Sequence, residues 1–554
     1  MPGLQTLTRI DEPQATPQVR RRPVAATVLT LLAGLLVLLA LVLPKEAGQL
    51  TPLAFVRIPV EGLLLGAVLL VLRGRARRVV AVLSGAALGL LTVLAVLQMG
   101  FRTTIGRPFD PLFDWSQLGS GIALIDSPIG RVAAVAGAVL LAVVLVVGMA
   151  LAGRRLGGLV ARHPSATART LAVLTVGWLA CLTFGVQLVA PVPVAARSTA
   201  ALTYETAQLV STSLADQRRF DEQAATDAFR GTPDADLLTA LRGKDVLLTY
   251  VESYGRSALE DPEFAPTVDA VLDEGTRRLA AHGFASRSAF LTSSVMGGGS
   301  WLAHATLLSG LRVTNQHSFD KLVASDRLTL SSAFQKAGWE TAAVMPSSAG
   351  AWPEQSFYGF DRTYDSGNLG NRSQTFSGFQ TPDQYTMSAF QHTVREQPGR
   401  GPLMAEIPLV TSHWPWAEVP RLLDWNEVGD GSVYDRPGAG QSDPVEAVEA
   451  SPDRMRDGYR RSIEYSLSTL ISYVENYGDD NLVLVFLGDH QAAPFVSGET
   501  AGKDVPITIV ARDPAVLDRI AGWGWQDGLR PGAAAPVWPM ESFRDRFLTA
   551  FGKQ

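Results

Sequence analysis

Three stretches of the chain hold residue types that, brought together, would bind a divalent cation and set a nucleophile beside it. Glu252-Ser253 follows the apolar run Val246-Leu247-Leu248-Thr249-Tyr250-Val251, and Gly488-Asp489-His490 follows Leu482-Val483-Leu484-Val485-Phe486-Leu487. Two carboxylates and an imidazole form a donor set suited to zinc or manganese. Each alone is an ordinary strand-end cap or turn residue. The weight lies in the three arriving at one place, with Gly488 leaving room for the last pair. The third stretch runs from the glycine triplet Gly297-Gly298-Gly299 through Ser300 to Gly310. Consecutive glycines open backbone conformations closed to other residues, and the run after Ser300 suits a short buried helix that stops at Gly310. Ser300 is then at a helix N-terminus, where unpaired N–H groups and the dipole favour phosphate or sulfate. A serine there is more often a plain N-cap, and only partners from the other two stretches overturn that reading.

These residues need elements to carry them. From Asp245 onward, apolar runs at 245–251, 340–345, 403–410, 481–487 and 505–511 alternate with helical patterns near 265–282, 327–337, 384–397 and 456–477. Such alternation predicts an α/β domain, a mostly parallel sheet between helices. Ligands gather beyond the carboxyl ends of the strands in such sheets, so Glu252, Asp489 and His490 are expected on one rim. Residues 417–455, rich in Pro, Gly and acidic groups and carrying Trp425 and Tyr434, are expected as a solvated loop or a lid near His413.

With Thr411-Ser412-His413-Trp414-Pro415 added, the set resembles the sulfatase-like branch of the alkaline phosphatase superfamily. Together with the membrane part described below, the chain is similar to lipoteichoic acid synthases, which are phosphoglycerol transferases, and more distantly to lipid A phosphoethanolamine transferases. The resemblance implies that Glu252, Asp489 and His490 are metal ligands, that Ser300 is the nucleophile and also touches the metal, and that His413 contacts the substrate or leaving group. It implies more loosely that Trp352 and Tyr358, beside Tyr358-Gly359-Phe360-Asp361, line the substrate cleft. The metal it implies is manganese or zinc, with magnesium a third choice. The chain departs from the pattern in three places. Ser300 stands where the membrane transferases generally have threonine. Ser300-Trp301-Leu302-Ala303-His304 lacks the x-Pro-x-Arg that true sulfatases need for formylglycine, which argues against sulfate-ester hydrolysis. The segment just before Val505-Pro506 has no histidine where some relatives carry one. His304, one helical turn after Ser300, is kept as a substrate-binding candidate against an even alternative of a core or surface histidine. His163, His282, His317 and His392 receive no role.

The first part of the chain is apolar in long blocks. Five segments, about 25–43, 53–72, 79–98, 132–152 and 170–190, approach the roughly 20 residues that a bilayer core requires. The first is not a cleaved signal peptide, because four more follow it. Arg9, Arg20, Arg21 and Arg22 precede the first span; Arg73, Arg75, Arg77 and Arg78 fill the second loop; Arg154, Arg155, Arg162 and Arg169 fill the fourth. The positive-inside rule then places the N-terminus in the cytoplasm and everything after about residue 190 outside. The loop from Arg102 to Asp126, with Phe109, Phe113 and Trp115, is expected to lie along the membrane interface as an aromatic anchor. Tyr204 to Phe229 suits an amphipathic helix in a juxtamembrane linker, and Val194-Ala195-Ala196 and Ser198-Thr199-Ala200 resemble a processing site that would release the soluble part.

A length of 554 residues exceeds one ordinary domain, and a net charge of -5 with a pI near 5.9 gives no ground for nucleic-acid binding. The only cysteine, Cys181, lies in an apolar block, so the soluble part has no internal disulfide. The expected organisation is a five-span all-α membrane domain at 1–192, a helical linker at 193–242, and an extracytoplasmic α/β catalytic domain of the alkaline-phosphatase type at 243–554. The expected activity is transfer of a phospho-alcohol group, phosphoglycerol-like, from a phospholipid donor to an envelope-polymer or lipid acceptor through a covalent Ser300 intermediate, at the plasma membrane. The alternatives are a membrane-bound phosphoesterase or sulfuric-ester hydrolase, and a non-catalytic protein that binds envelope polymers. Nothing in the sequence sets an oligomeric state.

Overall fold

The computed structural model describes residues 22–115, 117–118, 131–350, 352–376 and 378–553. Arg9, Arg20, Arg21 and the end of the loop that reaches Asp126 lie outside them. The chain divides into two compact units, Met1–Val96 with Asp126–Glu205, and Leu97–Ile125 with Thr206–Gln554.

The first unit is helical: α1 (Arg22–Leu41), α2 (Val60–Val71), α3 (Gly74–Ile105, whose residues from Leu97 count with the second unit), α4 (Arg131–Arg162) and α5 (Pro164–Phe184). Among the described residues, four helices are long and apolar enough to cross a membrane. The expected span at 53–72 is the exception. It is a 3-10 turn, Pro52–Phe55, followed by α2 of only 12 residues, about 18 Å of helix against a core of about 30 Å. Pro59 sets that limit: it stands as the N-cap of α2 in extended conformation, so helix begins only at Val60 although the apolar run begins earlier. Of the two candidate processing stretches, Ala195 and Ala196 pair with Ile58 and Pro59 and are buried, whereas Ser198-Thr199-Ala200 lies in the first turn of the helix that follows. This is the expected amphipathic helix, α6 (Ser198–Ala224).

The second unit is built on a nine-stranded sheet. Its strands are β1 (Asp245–Val251), β2 (Ala285–Thr292), β3 (Glu340–Met345), β4 (Arg362–Asp365), β5 (Leu403–Leu409), β6 (Leu482–Gly488), β7 (Asp504–Ala511), β8 (Gln526–Asp527) and β9 (Val537–Pro539). They are ordered β8-β2-β7-β6-β1-β5-β3-β4, with β9 beside β2. The neighbours from β6 to β4 are parallel; β7 runs antiparallel to β6 and to β2. β1, β5 and β6 are near-continuous apolar runs because both faces are covered. One face carries α8 (Ser300–Ser309), α9 (Leu330–Lys336) and α12 (Phe543–Phe551). The other carries α7 (Ala265–Ala281), α10 (Asp383–Phe390) and α11 (Pro452–Tyr477). The mostly parallel α/β architecture is as expected. β2 was not, because Ala285-Ser286-Arg287-Ser288 breaks the apolar pattern; it is held by pairing with β7 over its whole length.

Candidate metal centre and nucleophile

β1 and β6 lie side by side in parallel, with Val251 opposite Gly488, so Glu252 and Asp489 leave adjacent strand tips. β2 runs in the same direction and its carboxyl end leads through the glycine triplet to Ser300 at the start of α8. Gly297, Gly298 and Gly299 all have positive φ, 68°, 145° and 86°, which a residue with a Cβ adopts only with strain. Gly299, not Ser300, is the N-cap of α8, and no side chain caps this end. The Ser300 hydroxyl is therefore not used in capping.

It is used in the site. Ser300 Oγ donates to Glu252 Oε2 at 3.0 Å and lies 3.3 Å from His490 Nε2. His490 Nε2 is 3.2 Å from Glu252 Oε1 and 3.5 Å from Asp489 Oδ2. Ligand atoms of Glu252, Asp489 and His490 all fall within 4.8 Å of one another. The backbone orients each of them. Asp489 Oδ1 accepts from the N–H groups of Ser253 and His490 at 2.8 and 2.7 Å, which aims the other carboxylate oxygen inward. Ser253 reaches it from a left-handed conformation, φ 57°, held by Tyr459, whose hydroxyl donates to the Ser253 carbonyl. The Gln491 carbonyl accepts from His490 Nδ1 at 3.0 Å and from Gly297 N at 2.8 Å. One carbonyl thereby fixes the tautomer that presents Nε2 and ties the glycine triplet to the His490 strand tip.

The three groups fit a divalent cation. Asp489 Oδ2 is buried with no hydrogen-bond partner, an expensive state for a carboxylate oxygen unless a cation meets it. The charges agree. Burial would raise the Glu252 carboxyl, but positive His490 beside it outweighs burial and holds it well below the usual range. Burial and the nearby Glu252 push Asp489 up to about 6. Burial opposes charge on His490, yet Asp489 and Glu252 together push it up to about 9. Two carboxylates sharing one imidazolium proton can exchange that proton for a metal ion.

The other candidates are placed less uniformly. His413 is half-buried, stacked on Phe379 at 4.2 Å, and its Nδ1 lies 2.7 Å from the Trp414 carbonyl, which leaves Nε2 as its free nitrogen. It is near enough for its charge to act on Glu252, and neighbouring Ser412 donates from Oγ to the Glu252 carbonyl at 2.6 Å. His304 is near enough for its charge to act on Asp489. Its ring lies flat on Tyr250 at 3.7 Å and its Nδ1 is 3.2 Å from Glu406 Oε1. Tyr358 is 3% exposed and belongs to the core, and half-buried Trp352 stacks on it at 5.3 Å. Tyr358 packs in the core rather than along a cleft, because the turn at Gly359 folds it and Phe360 among buried residues, while Trp352 packs only partly buried against that core. Glu406 went unnoticed in the sequence, although a glutamate inside an apolar strand run is itself a signal. Ser412, Ser253 and Phe379 carried no such signal.

Residues 265–505 match the family model described as Sulfatase. The match takes in Ser300, His413, Asp489 and His490 and begins just after Glu252. Residues 265–505 of the second unit are thus similar to a sulfatase-type domain, in one chain with four described helices long and apolar enough to cross a membrane. No curated protein matches the chain. Among solved structures, the integral membrane lipooligosaccharide phosphoethanolamine transferase A from Neisseria meningitidis is similar over 95% of each chain, at 14% identity and a TM-score of 0.45. The lipoteichoic acid synthase LtaP from Listeria monocytogenes is similar over 57% of this chain and 74% of its own, at 15% identity and a TM-score of 0.37. The phosphoglycerol transferase GacH from Streptococcus pyogenes is similar over 61% and 81%, at 15% identity and a TM-score of 0.36.

Proposed function

We propose that the chain is a membrane-anchored phosphotransferase that moves a phospho-alcohol group from a phospholipid to an envelope acceptor through a covalent bond to Ser300. The observation that carries this reading is the Ser300 hydroxyl, held by Glu252 and His490 while Asp489 Oδ2 beside them has no hydrogen-bond partner among the described residues. Glu252, Asp489, His490 and Ser300 would hold manganese or zinc, which when bound neutralises phosphate charge and lowers the serine pKa. Ser300 Oγ attacks phosphorus while its proton passes toward Glu252, the Oγ–P bond forms, and the donor's P–O bond breaks. His413, its ring fixed by Phe379 and the Trp414 carbonyl, gives the leaving alcohol a proton from Nε2. An acceptor alcohol then loses its proton to His413 as it attacks phosphorus, and Ser300 leaves as the hydroxyl. With the apolar segment that holds α2 counted as the second of five crossings, the arginine-rich second and fourth loops support an outside location for this unit.

With water as acceptor the same residues make a hydrolase, a second reading favoured by the family description. Full-length protein in nanodiscs with headgroup-labelled phospholipid and manganese or zinc separates the two. Label on the Ser300 peptide, absent in Ser300→Ala and moving to an added alcohol, supports transfer; sulfate released from esters with no lipid turnover overturns it.

A further inference from the structure

The second unit exposes several large apolar side chains in one strip that runs from the end of α3 to the residue after the nucleophile. The last residues of α3 are seated on the glycine triplet: a Cβ at Gly297 would meet the Thr104 carbonyl at 2.1 Å, and one at Gly106 would meet the Met296 sulfur at 2.6 Å. The following turn is pinned from inside. Arg107 forms a two-pronged ion pair with buried Asp114, and Phe109, fully buried, meets Phe101 and Trp115 edge-on at 5.0 and 5.1 Å. Phe109 is therefore core rather than the anchor its sequence context suggested. What the pinned turn holds outward is Leu112, 41% exposed, and Trp115, 59% exposed. Between them Phe113 stacks on His317 at 5.4 Å. Gln316, beside His317, accepts the indole N–H of Trp301 at 3.1 Å, and Trp301 is itself 41% exposed next to Ser300.

A pinned, outward-facing Leu and Trp are not folding accidents, because the same turn buries Phe109 completely and half-buries Phe113. They continue directly from α3, whose 32 residues make about 48 Å of helix, more than the roughly 30 Å hydrocarbon core takes up. Trp beside a spanning helix is characteristic of the lipid headgroup boundary, where an indole has an apolar body in lipid and a polar edge in water. The Trp115 indole N–H is occupied by the Pro111 carbonyl at 2.7 Å, so the ring turns no free donor to lipid. Positive charge flanks the strip: Lys503 donates to the Ser294 carbonyl at 3.1 Å, with Arg312 and Arg107 near enough to act on it.

We propose that Leu112, Trp115 and Trp301 form a bilayer-docking surface, with the headgroup and upper acyl region of a phospholipid membrane as its occupant. It brings Ser300 to the depth at which a phospholipid headgroup sits. The docking surface holds whichever reaction Ser300 performs, so the two readings fail separately.

The test uses the full chain with its one cysteine removed as Cys181→Ser. Leu112→Cys and Trp115→Cys carry a fluorescent label in nanodiscs containing lipids spin-labelled near the headgroup. Leu422→Cys and Val445→Cys, at positions exposed to 37% and 39%, serve as controls. Labels at 112 and 115 are expected to be quenched at least about twofold more than the controls. Equal quenching at all four overturns the proposal. Should the cysteine variants fail to fold, Trp115→Phe in the native chain reads the same contact: brominated lipid then quenches a smaller share of tryptophan emission than in the native protein, and an unchanged share overturns it.

Discussion

A Cβ on Gly488 would stand 1.9 Å from the carbonyl oxygen of Tyr254. The absent side chain is what lets the β6 tip close on the turn after β1, and so lets Asp489 meet Glu252. Gly488→Ala forces backbone apart, with no flexible side chain to give way. It is expected to cost about 3 kcal/mol and to abolish metal retention, read as a fall in Tm and in metal content of the purified chain.

Ser300→Ala separates a catalytic hydroxyl from a cap. Substituting a capping serine costs about 1 kcal/mol and leaves chemistry untouched. Here Gly299 takes the N-cap position with no side-chain bond, so the expected outcome is a nearly unchanged Tm with turnover down at least about 1000-fold. A lowered Tm with retained turnover would falsify the nucleophile assignment.

How far the sequence disclosed this arrangement depends on whether a residue's environment is local. The apolar runs that become β1, β5 and β6 and the glycine triplet before Ser300 were legible because burial on both faces and positive φ each leave a mark on the sequence itself. β2 was not, since its polar residues are accommodated by partners far along the chain, Ser288 donating to the Gly528 carbonyl. His304 looked like a neighbour of Ser300 at helical spacing, and it does share that face of α8. What spacing does not show is that its ring is held by Tyr250 and Glu406. At 53–72 hydropathy averages over Pro59, which the backbone does not, so the apolar helix there begins only at Val60.

Metal should stabilise the protein more as pH rises. His490 must lose a proton to become a ligand, and its value in the folded, metal-free protein is pushed up to about 9. Its folded value lies above the unfolded one, so its own stabilising contribution is fully present below the unfolded value near 6.5 and is lost as pH rises through about 9. A bound cation replaces what is lost. The stability gain from manganese or zinc, read as a rise in Tm, is therefore expected to grow from pH 6 to pH 9, reaching about 2.7 kcal/mol when metal is at 100 times its Kd. A chelator should remove both the gain and the turnover.

Asp383 supports His413 from behind. It is fully buried at the start of α10, where its Oδ1 accepts from Thr411 N at 2.9 Å and its own N–H donates to Thr411 Oγ1 at 3.0 Å, two residues before His413. Ser466 of α11 donates to its other oxygen. Burial pushes this carboxyl up to about 6, against hydrogen bonds that pull it down. The stability it contributes is thus fully present below the unfolded value and is lost as pH rises through about 6, on the order of 3 kcal/mol for about two units. Asp383→Asn keeps an acceptor for Thr411 N and removes the titration, and the Ser466 hydroxyl can rotate to accept from the new amide. Urea unfolding of the full chain in detergent between pH 4 and 7 should then show the native protein losing stability across that range and the variant holding nearly level. Equal slopes in the two proteins would assign the pH dependence elsewhere.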